Sequence, residues 1–558
     1  MTPDALFARS SIKIPALPLD ALQHGEVFTR RWVVETMLDL VEYRAERDLA
    51  NMVLVEPACG EGAFLGPIAE RVSQSCRSHG RSLLEAANAV RAFDLLEHNV
   101  TASRELVTHL LLADGWDPAD VGKVVHTWIS QSDYLLLDHD DEDVDVVIGN
   151  PPYIRLEDVP DPRMKAYRLA CSTMSGRADI YVGFYERGLR SLKPGGRLAF
   201  ICADRWMRNQ YGRKLRQLIA DHYSVELVLT MHDVDAFHEK VSAYPAITVI
   251  QNSSQSEAVA ADTNREFGPR QANEFLKWFE NKEKTLEQRP SFHAARLPKW
   301  FPGDDSWPAA SPTRLMVLEE LCDRFPLLEE TGVRVGIGIA TGADSVFIAH
   351  EDALPDVEED RLLPLAMVQD TTSGKLKWHG TYLVNPWDKE GNLVNLTQYP
   401  GLARYYKKNS SILKKRYVAT KQPHRWYKTI DKVNHQLTGR EKLYLPDMKT
   451  TIHPVLDSGH YYPHHNLYYI VSDKWDMRTL GGLLLSRIAE AFVSAYAVKM
   501  RGGTLRFQAQ YLRKIRVPDP GSISQDDRDA LADAFERRDA DAATSAALRA
   551  YGLSKFPD

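Results

Sequence analysis

Short β-branched runs alternate with helix-length amphipathic segments over the first 250 residues, and this rhythm limits the available folds more than any other feature of the chain. Apolar runs at 52–55, 91–95, 144–148 and 197–203 are separated by amphipathic segments such as 62–77, 100–112 and 180–192. Strand, helix and strand in regular succession predict an α/β fold with a doubly wound, mostly parallel sheet. Lys193-Pro194-Gly195-Gly196 stops a helix and turns the chain into the next strand. Two further runs, 225–229 and 246–250, complete a sheet of seven strands.

Residues 252–264 are small and polar, a linker composition, and the main boundary is expected there. The reading gives a first domain at 1–255, a connecting segment at 256–310, a second domain of mixed α/β character at 311–520 and an exposed helical tail at 521–558. Apolar residues are 44% of the chain and charged residues 26%, which excludes wholesale disorder. Cys59, Cys76, Cys171, Cys202 and Cys322 are scattered without CxxC spacing, so free thiols in a reducing compartment are expected rather than a cysteine zinc site. No run approaches the roughly 18 apolar residues of a membrane span. A chain that is neither secreted nor anchored is expected.

The sharpest chemical signal is Asn150-Pro151-Pro152-Tyr153, directly after the strand at 144–148. Open α/β sheets bind ligands at the carboxyl ends of their strands. Two prolines remove two backbone donors and stiffen the loop. The Asn150 side-chain oxygen and the neighbouring carbonyl can accept both hydrogens of one exocyclic amine, while Tyr153 offers a stacking face. Upstream, Glu56-Pro57-Ala58-Cys59-Gly60-Glu61-Gly62 follows the first strand and opens a helix, where glycine lets a ligand approach free amides. Asp94 ends the second strand, where an acid can hold a ribose diol. Asp133 near the next strand end can accept from an adenine amino group. Taken singly each acid reads as a solvated loop charge; at successive strand ends before Asn-Pro-Pro-Tyr, the three read as a site.

The order of these segments resembles the gamma-class DNA N6-adenine methyltransferases, the Taq I and Eco57I-type modification methylases. That resemblance implies a Rossmann-like methyltransferase sheet, S-adenosyl-L-methionine as cofactor and a C-terminal target-recognition domain. His24-Gly25-Glu26-Val27-Phe28-Thr29 is similar to the family segment at the methionine end of the cofactor, which makes Thr29 a cofactor ligand with Glu56, Ala58, Gly60, Asp94 and Asp133. Asn150, Pro151, Pro152 and Tyr153 become the catalytic loop. Ala236-Phe237-His238-Glu239-Lys240-Val241-Ser242 resembles the segment carrying a second aromatic, so Phe237 is expected opposite Tyr153 on a flipped adenine. Neither a metal nor a covalent enzyme intermediate is required. An amine whose lone pair is delocalised into the ring needs its hydrogens held by acceptors, and a base buried in a duplex must rotate out to react.

Residues 404–449 hold 13 Lys and Arg against three acids, a local charge of +10 in a chain of net charge -7. Interleaved with Tyr and Trp, this stretch predicts a double-stranded DNA surface, with Lys414, Lys415, Arg416, Arg425 and Trp426 as contacts. Arg501 and Arg506 in the Arg-Gly-Gly segment at 501–507 extend it. That segment, the basic stretch and the glycine pattern at 336–342 together resemble the target-recognition domain of larger gamma-class enzymes. Asn-Pro-Pro-Tyr also occurs in protein glutamine and RNA methyltransferases, and a DNA-binding specificity subunit with a decayed transferase remains an alternative. Glu280-Asn281-Lys282 lacks the Pro-Asp that a fused nuclease needs, so methylation without cleavage is expected. The family setting implies a bacterial restriction–modification or phage-defence system, a nucleoid-associated cytoplasmic enzyme and a separately encoded endonuclease.

Overall fold

A computed structural model describes residues 28–137, 143–238, 244–497 and 505–557. His24 to Val27, Glu239 to Ser242 and Arg501 lie outside the described residues. The chain divides into two units, Met1–Glu319 and Glu320–Asp558.

The first unit is built on one large sheet. Its strands are β1 (Leu54–Glu56), β2 (Val90–Asp94), β3 (Ile129–Gln131), β4 (Val144–Gly149), β5 (Leu192–Ala203), β6 (Ser224–Thr230), β7 (Pro245–Gln251), β8 (Ala258–Thr263), β9 (Leu286–Gln288) and β10 (Phe292–Leu297). Their order is β3-β2-β1-β4-β5-β7-β6-β8-β10-β9. β1 pairs in parallel with both β2 and β4, and β4 pairs in parallel with β5. β7 runs antiparallel between β5 and β6. The strand order reverses between β1 and β4, which opens a crevice at their carboxyl ends.

Helices α1 (Arg31–Leu40), α2 (Leu65–Ser78), α3 (Glu97–Ala113) and α4 (Pro118–Trp128) bury Met37, Ile68, Val107 and Val124 in one core with Leu54 and Ala92 of the strands. Each such side chain contributes about 1.5–3 kcal/mol by leaving water. After α5 (Asp161–Ala170), helix α6 (Tyr181–Ser191) lies tight on β4 and β5: a Cβ at Gly188 would stand 2.8 Å from Leu198 and 3.1 Å from Val147.

Among the described residues the sheet has ten strands rather than seven, and the segment expected to connect the domains at 256–310 supplies β8, β9 and β10. β8 pairs in parallel with β6, and β10 and β9 follow antiparallel. The helix Pro269–Glu280 buries Phe275, Leu276 and Trp278. Only the turn before β8 has linker character, because Ala258, Val259, Ala260 and Ala261 are all buried.

The second unit carries β11 (Val333–Ile337), β12 (Ile348–His350), β13 (Leu362–Ala366), β14 (Thr381–Val384), β15 (Lys442–Pro446), β16 (Met448–Lys449), β17 (Val455–Asp457), β18 (Tyr462–Pro463), β19 (Leu467–Ser472) and β20 (Leu505–Arg506). They form sheets β11-β19-β15-β17 and β12-β14-β13-β18 and a short β16-β20 pair. The helical tail is not an exposed appendage. Its helices Gln525–Arg537 and Ala540–Tyr551 bury Leu531, Phe535, Ala543 and Ala547. Gly482 in the helix Met477–Leu485 permits the approach, since a Cβ there would stand 2.3 Å from the Leu531 carbonyl oxygen. No helix among the described residues is long and apolar enough to cross a membrane.

Candidate active site

The crevice at the reversal of strand order holds a cavity of about 140 Å³. β1 delivers Glu56 to its wall, the loop after β1 delivers Ala58 and Gly60, and β2 ends on Asp94. Asp133 follows β3, and Asn150 with Pro152 follows β4. Thr29 enters from the segment before α1, so all six expected cofactor residues line one cavity together with Asn150.

Several local interactions hold this arrangement. Gly60 has φ +52°, in the left-handed region that favours glycine, and nothing lies within 4 Å of where its Cβ would be. Its amide donates to Asp94 Oδ2 at 2.9 Å, while the Leu96 amide and Asn99 Nδ2 donate to Asp94 Oδ1 at 2.9 and 3.2 Å. Asp94 is thereby fixed at the lip of β2. Asp133 Oδ2 accepts from the Tyr167 hydroxyl at 2.9 Å, with Arg163 Nε 3.6 Å away. Burial raises the Asp133 carboxyl above its usual range, against the opposing pull of Tyr167 and Arg163.

Glu56 is 1% exposed, and its Oε2 is buried without a hydrogen-bond partner. Burial, and next the neighbouring Asp94, pushes its carboxyl well above the usual range. A carboxyl so placed is stable only when neutral or when a cation enters beside it.

Asn150 Nδ2 donates to Thr29 Oγ1 at 3.2 Å, which turns Oδ1 to the other side of the side chain. The Tyr153 hydroxyl reaches the Ile201 carbonyl at 3.4 Å, and its ring meets Tyr181 edge-on with centroids 6.4 Å apart. Tyr181 and Tyr211 share a hydroxyl contact of 2.7 Å, and Tyr211 donates to Asp179 at 3.1 Å. Tyr153 and Pro151 are not among the cavity-lining residues. Phe237 departs further from expectation. It is 6% exposed and part of the core, and it is bridged antiparallel to Thr29 by bonds from the Arg30 amide to Ala236 and from the His238 amide to Phe28. The chain there pairs two loops.

Phe28, Ile154, Val159, Tyr167 and Phe184 also line the cavity and were not singled out from the sequence. Tyr167 and Phe184 lie on α5 and α6, and only the tertiary fold brings those helix faces to the strand ends.

Comparison with known proteins shows the family of the chain. Residues 86–237 match the family described as Eco57I restriction-modification methylase. Over 535 residues the chain is 40% identical to the Type II methyltransferase M.PaeR7I of Pseudomonas aeruginosa, covering 95% of this chain and 92% of that protein. The chain belongs to the Type II methyltransferases of restriction–modification systems. It is likewise 39% identical to the Type II methyltransferase M.XhoI of Xanthomonas vasicola, over 96% of this chain and 98% of the other. Among solved structures, the Type IIL restriction-modification enzyme MmeI in complex with DNA is similar at a TM-score of 0.46 and 12% identity, covering 95% of this chain and 74% of that one.

The structure sorts the side chains of the basic stretch in the second unit. Lys407, Lys408, Lys414, Lys415 and Lys421 are exposed. Lys414 Nζ lies 5.2 Å from the Trp426 ring centre, and Arg425 sits 6.0 Å from Trp387. Arg416 is otherwise engaged. Its guanidinium donates to the carbonyls of Leu413, Thr341 and Trp426 at 2.8–3.0 Å, so it braces the loop instead of presenting to phosphate. Arg506 pairs with Asp447, with Nε 3.1 Å from Oδ1, which cancels its charge locally. Lys442 is wholly buried and paired with Asp457 at 3.0 Å. The exposed, unengaged basic face is accordingly narrower than the +10 of the stretch suggests.

Proposed function

We propose that this DNA methyltransferase modifies the N6 atom of adenine, with S-adenosyl-L-methionine as methyl donor. The observation that carries the reading is Asn150 at the carboxyl end of β4, beside the reversal of strand order, lining one cavity with the buried, unpartnered Glu56. Glu56 fits a ligand that brings positive charge; Asp94 and Asp133 fit its ribose and adenine; Thr29, Ala58 and Gly60 flank the methionine side. When bound, S-adenosylmethionine supplies an electrophilic methyl group on a sulfonium.

The chain's own residues then prepare the nucleophile. Asn150 Oδ1 and the Pro151 carbonyl accept the two hydrogens of the exocyclic amine and favour the charge that develops on nitrogen. Pro152 stiffens the loop so that little reorganisation is needed. Tyr153 stacks on the flipped base and offsets part of the few kcal/mol that flipping costs. The core position of Phe237 leaves Tyr153 as the stacking residue in this reading. Residues 320–558 act as the target-recognition domain, with Lys414, Lys415, Arg425 and Trp426 at the DNA surface. The setting is the bacterial cytoplasm, with cleavage encoded in a separate chain.

Glu56 gives a direct test of cofactor binding. Its carboxyl is held above the usual range, so at pH values between the ordinary and the raised pKa it is protonated in the free protein. An entering cation favours the ionised form, so binding releases a proton and affinity rises with pH across that window. Calorimetric titration in buffers of differing ionisation enthalpy should show the release, and Glu56→Gln should abolish it. Identical heats for both proteins in every buffer would remove Glu56 from the cofactor site.

At the DNA surface, the double variant Lys414→Ala, Lys415→Ala should bind duplex more weakly, with a slope of log affinity against log salt shallower by about 1–2. An unchanged slope would place the phosphate contacts elsewhere.

A further inference from the structure

A cluster in the second unit has the composition of a metal site. Gly338, Ile339 and the turn after them run beside the segment Pro463-His464-His465. Ile339 bridges His464 in parallel, its amide donates to the Pro463 carbonyl at 2.9 Å, and the His465 amide donates to the Ile339 carbonyl at 3.1 Å. Asp344 follows on the first turn of the short helix Asp344–Phe347. Thr341 Oγ1 donates to Asp344 Oδ1, which steers the second carboxylate oxygen toward the histidines.

The state of the two imidazoles makes the cluster unusual. His464 is 2% exposed, yet neither ring nitrogen has a hydrogen-bond partner, and Nδ1 of His465 is buried in the same condition. Nε2 of His464 lies 3.4 Å from Asp344 Oδ2 without the alignment of a hydrogen bond. The two rings stand with centroids 4.0 Å apart at 54°. One donor atom from each of Asp344, His464 and His465 lies within 4.8 Å of the others. Buried polar atoms of a folded protein are ordinarily satisfied.

We propose that Asp344, His464 and His465 form a binding site for a divalent first-row transition-metal ion of the zinc class. Two imidazole nitrogens and one carboxylate oxygen suit zinc or cobalt and do not suit magnesium or calcium, which take oxygen ligands. Bonds of about 2.0–2.2 Å to a tetrahedral ion set ligand atoms roughly 3.3–3.6 Å apart, and Nε2 of His464 already stands 3.4 Å from Asp344 Oδ2. Three protein ligands leave a fourth position on the open side of Asp344, whose side chain is 50% exposed. The ion ties the glycine-containing loop after β11 to the segment after β18. Gly336, Ile337 and Tyr462 on these same stretches line a groove of the second unit, so the ion sets the shape of that groove. The absence of CxxC spacing in the sequence bears on cysteine zinc sites alone and leaves this site untouched.

The test uses full-length, tag-free protein, stripped with a chelator and dialysed, then titrated with Co²⁺ while visible absorption is followed. One equivalent should bind and give the d–d bands of a low-coordinate nitrogen and oxygen site, and Zn²⁺ should displace it. Asp344→Asn and His465→Gln, neither of which alters the core, should each weaken binding at least about tenfold. Circular dichroism and methyl transfer by the same preparations establish that they are folded. Absence of binding by the folded parent overturns the proposal, and so does binding of equal affinity and spectrum in both variants.

Discussion

Asn150→Ala is expected to slow methyl transfer by about 10²–10³-fold or more, because one of two acceptors aimed at the developing charge is lost. S-adenosylmethionine binding should change little, since Glu56, Asp94 and Asp133 stay in place on β1, β2 and the loop after β3. Single-turnover rates with cofactor-saturated enzyme read the first effect, and equilibrium dialysis reads the second. Asn150→Asp should retain more activity than the alanine variant, because a carboxylate still accepts. A parent-like rate for Asn150→Ala would sink the assignment of this residue.

The largest effect on folding is expected from Gly338→Ala. A Cβ there would stand 2.2 Å from the His464 carbonyl oxygen and 2.4 Å from that of Pro463. Both are backbone atoms in a bridged segment, and no rotamer change relieves the overlap. The Gly338 amide also donates to the Leu467 carbonyl at 2.9 Å, which ties the position to β19. The cost should reach about 3 kcal/mol or more, and the unfolding midpoint of this unit should fall by roughly 6–12 °C. Gly439→Ala is the control, since open space surrounds its Cβ position and its melting should be nearly unchanged. Equal melting of the two variants would mean that the loop after β11 does not pack as described.

The parts of this molecule that sequence discloses are those in which chemistry follows directly on a strand. Asn150, Glu56 and Asp94 each stand at or just after the end of an apolar run, and the parallel sheet carries all three to one crevice. Phe28, Tyr167 and Phe184 were hidden because they come from other segments that only the tertiary fold brings there. Phe237, which the motif offers as a second stacking residue, lies in the core on a segment bridged to Thr29. β8 was missed because Ala258, Ala260 and Ala261 are weak strand formers that read as linker beside a run of serines. The alanine-rich tail hid in the same way, since its many alanines resemble a solvated helix in sequence while Phe535 and Leu531 pack against Gly481 and Gly482. Charge counting located the basic stretch but not the engagement of Arg416 and Lys442, which depends on which carbonyls and carboxylates fold against them.

Adenine N6 methylation of duplex DNA is open to direct mapping of the modified base. Purified enzyme is incubated with S-adenosylmethionine and unmethylated genomic DNA, and modified bases are located by single-molecule sequencing, with Asn150→Ala run in parallel. N6-methyladenine confined to one short sequence is expected in the parent sample, with near-background modification by the variant. Methyl groups on cytosine, or no modified base from an enzyme shown to bind its cofactor, would contradict it.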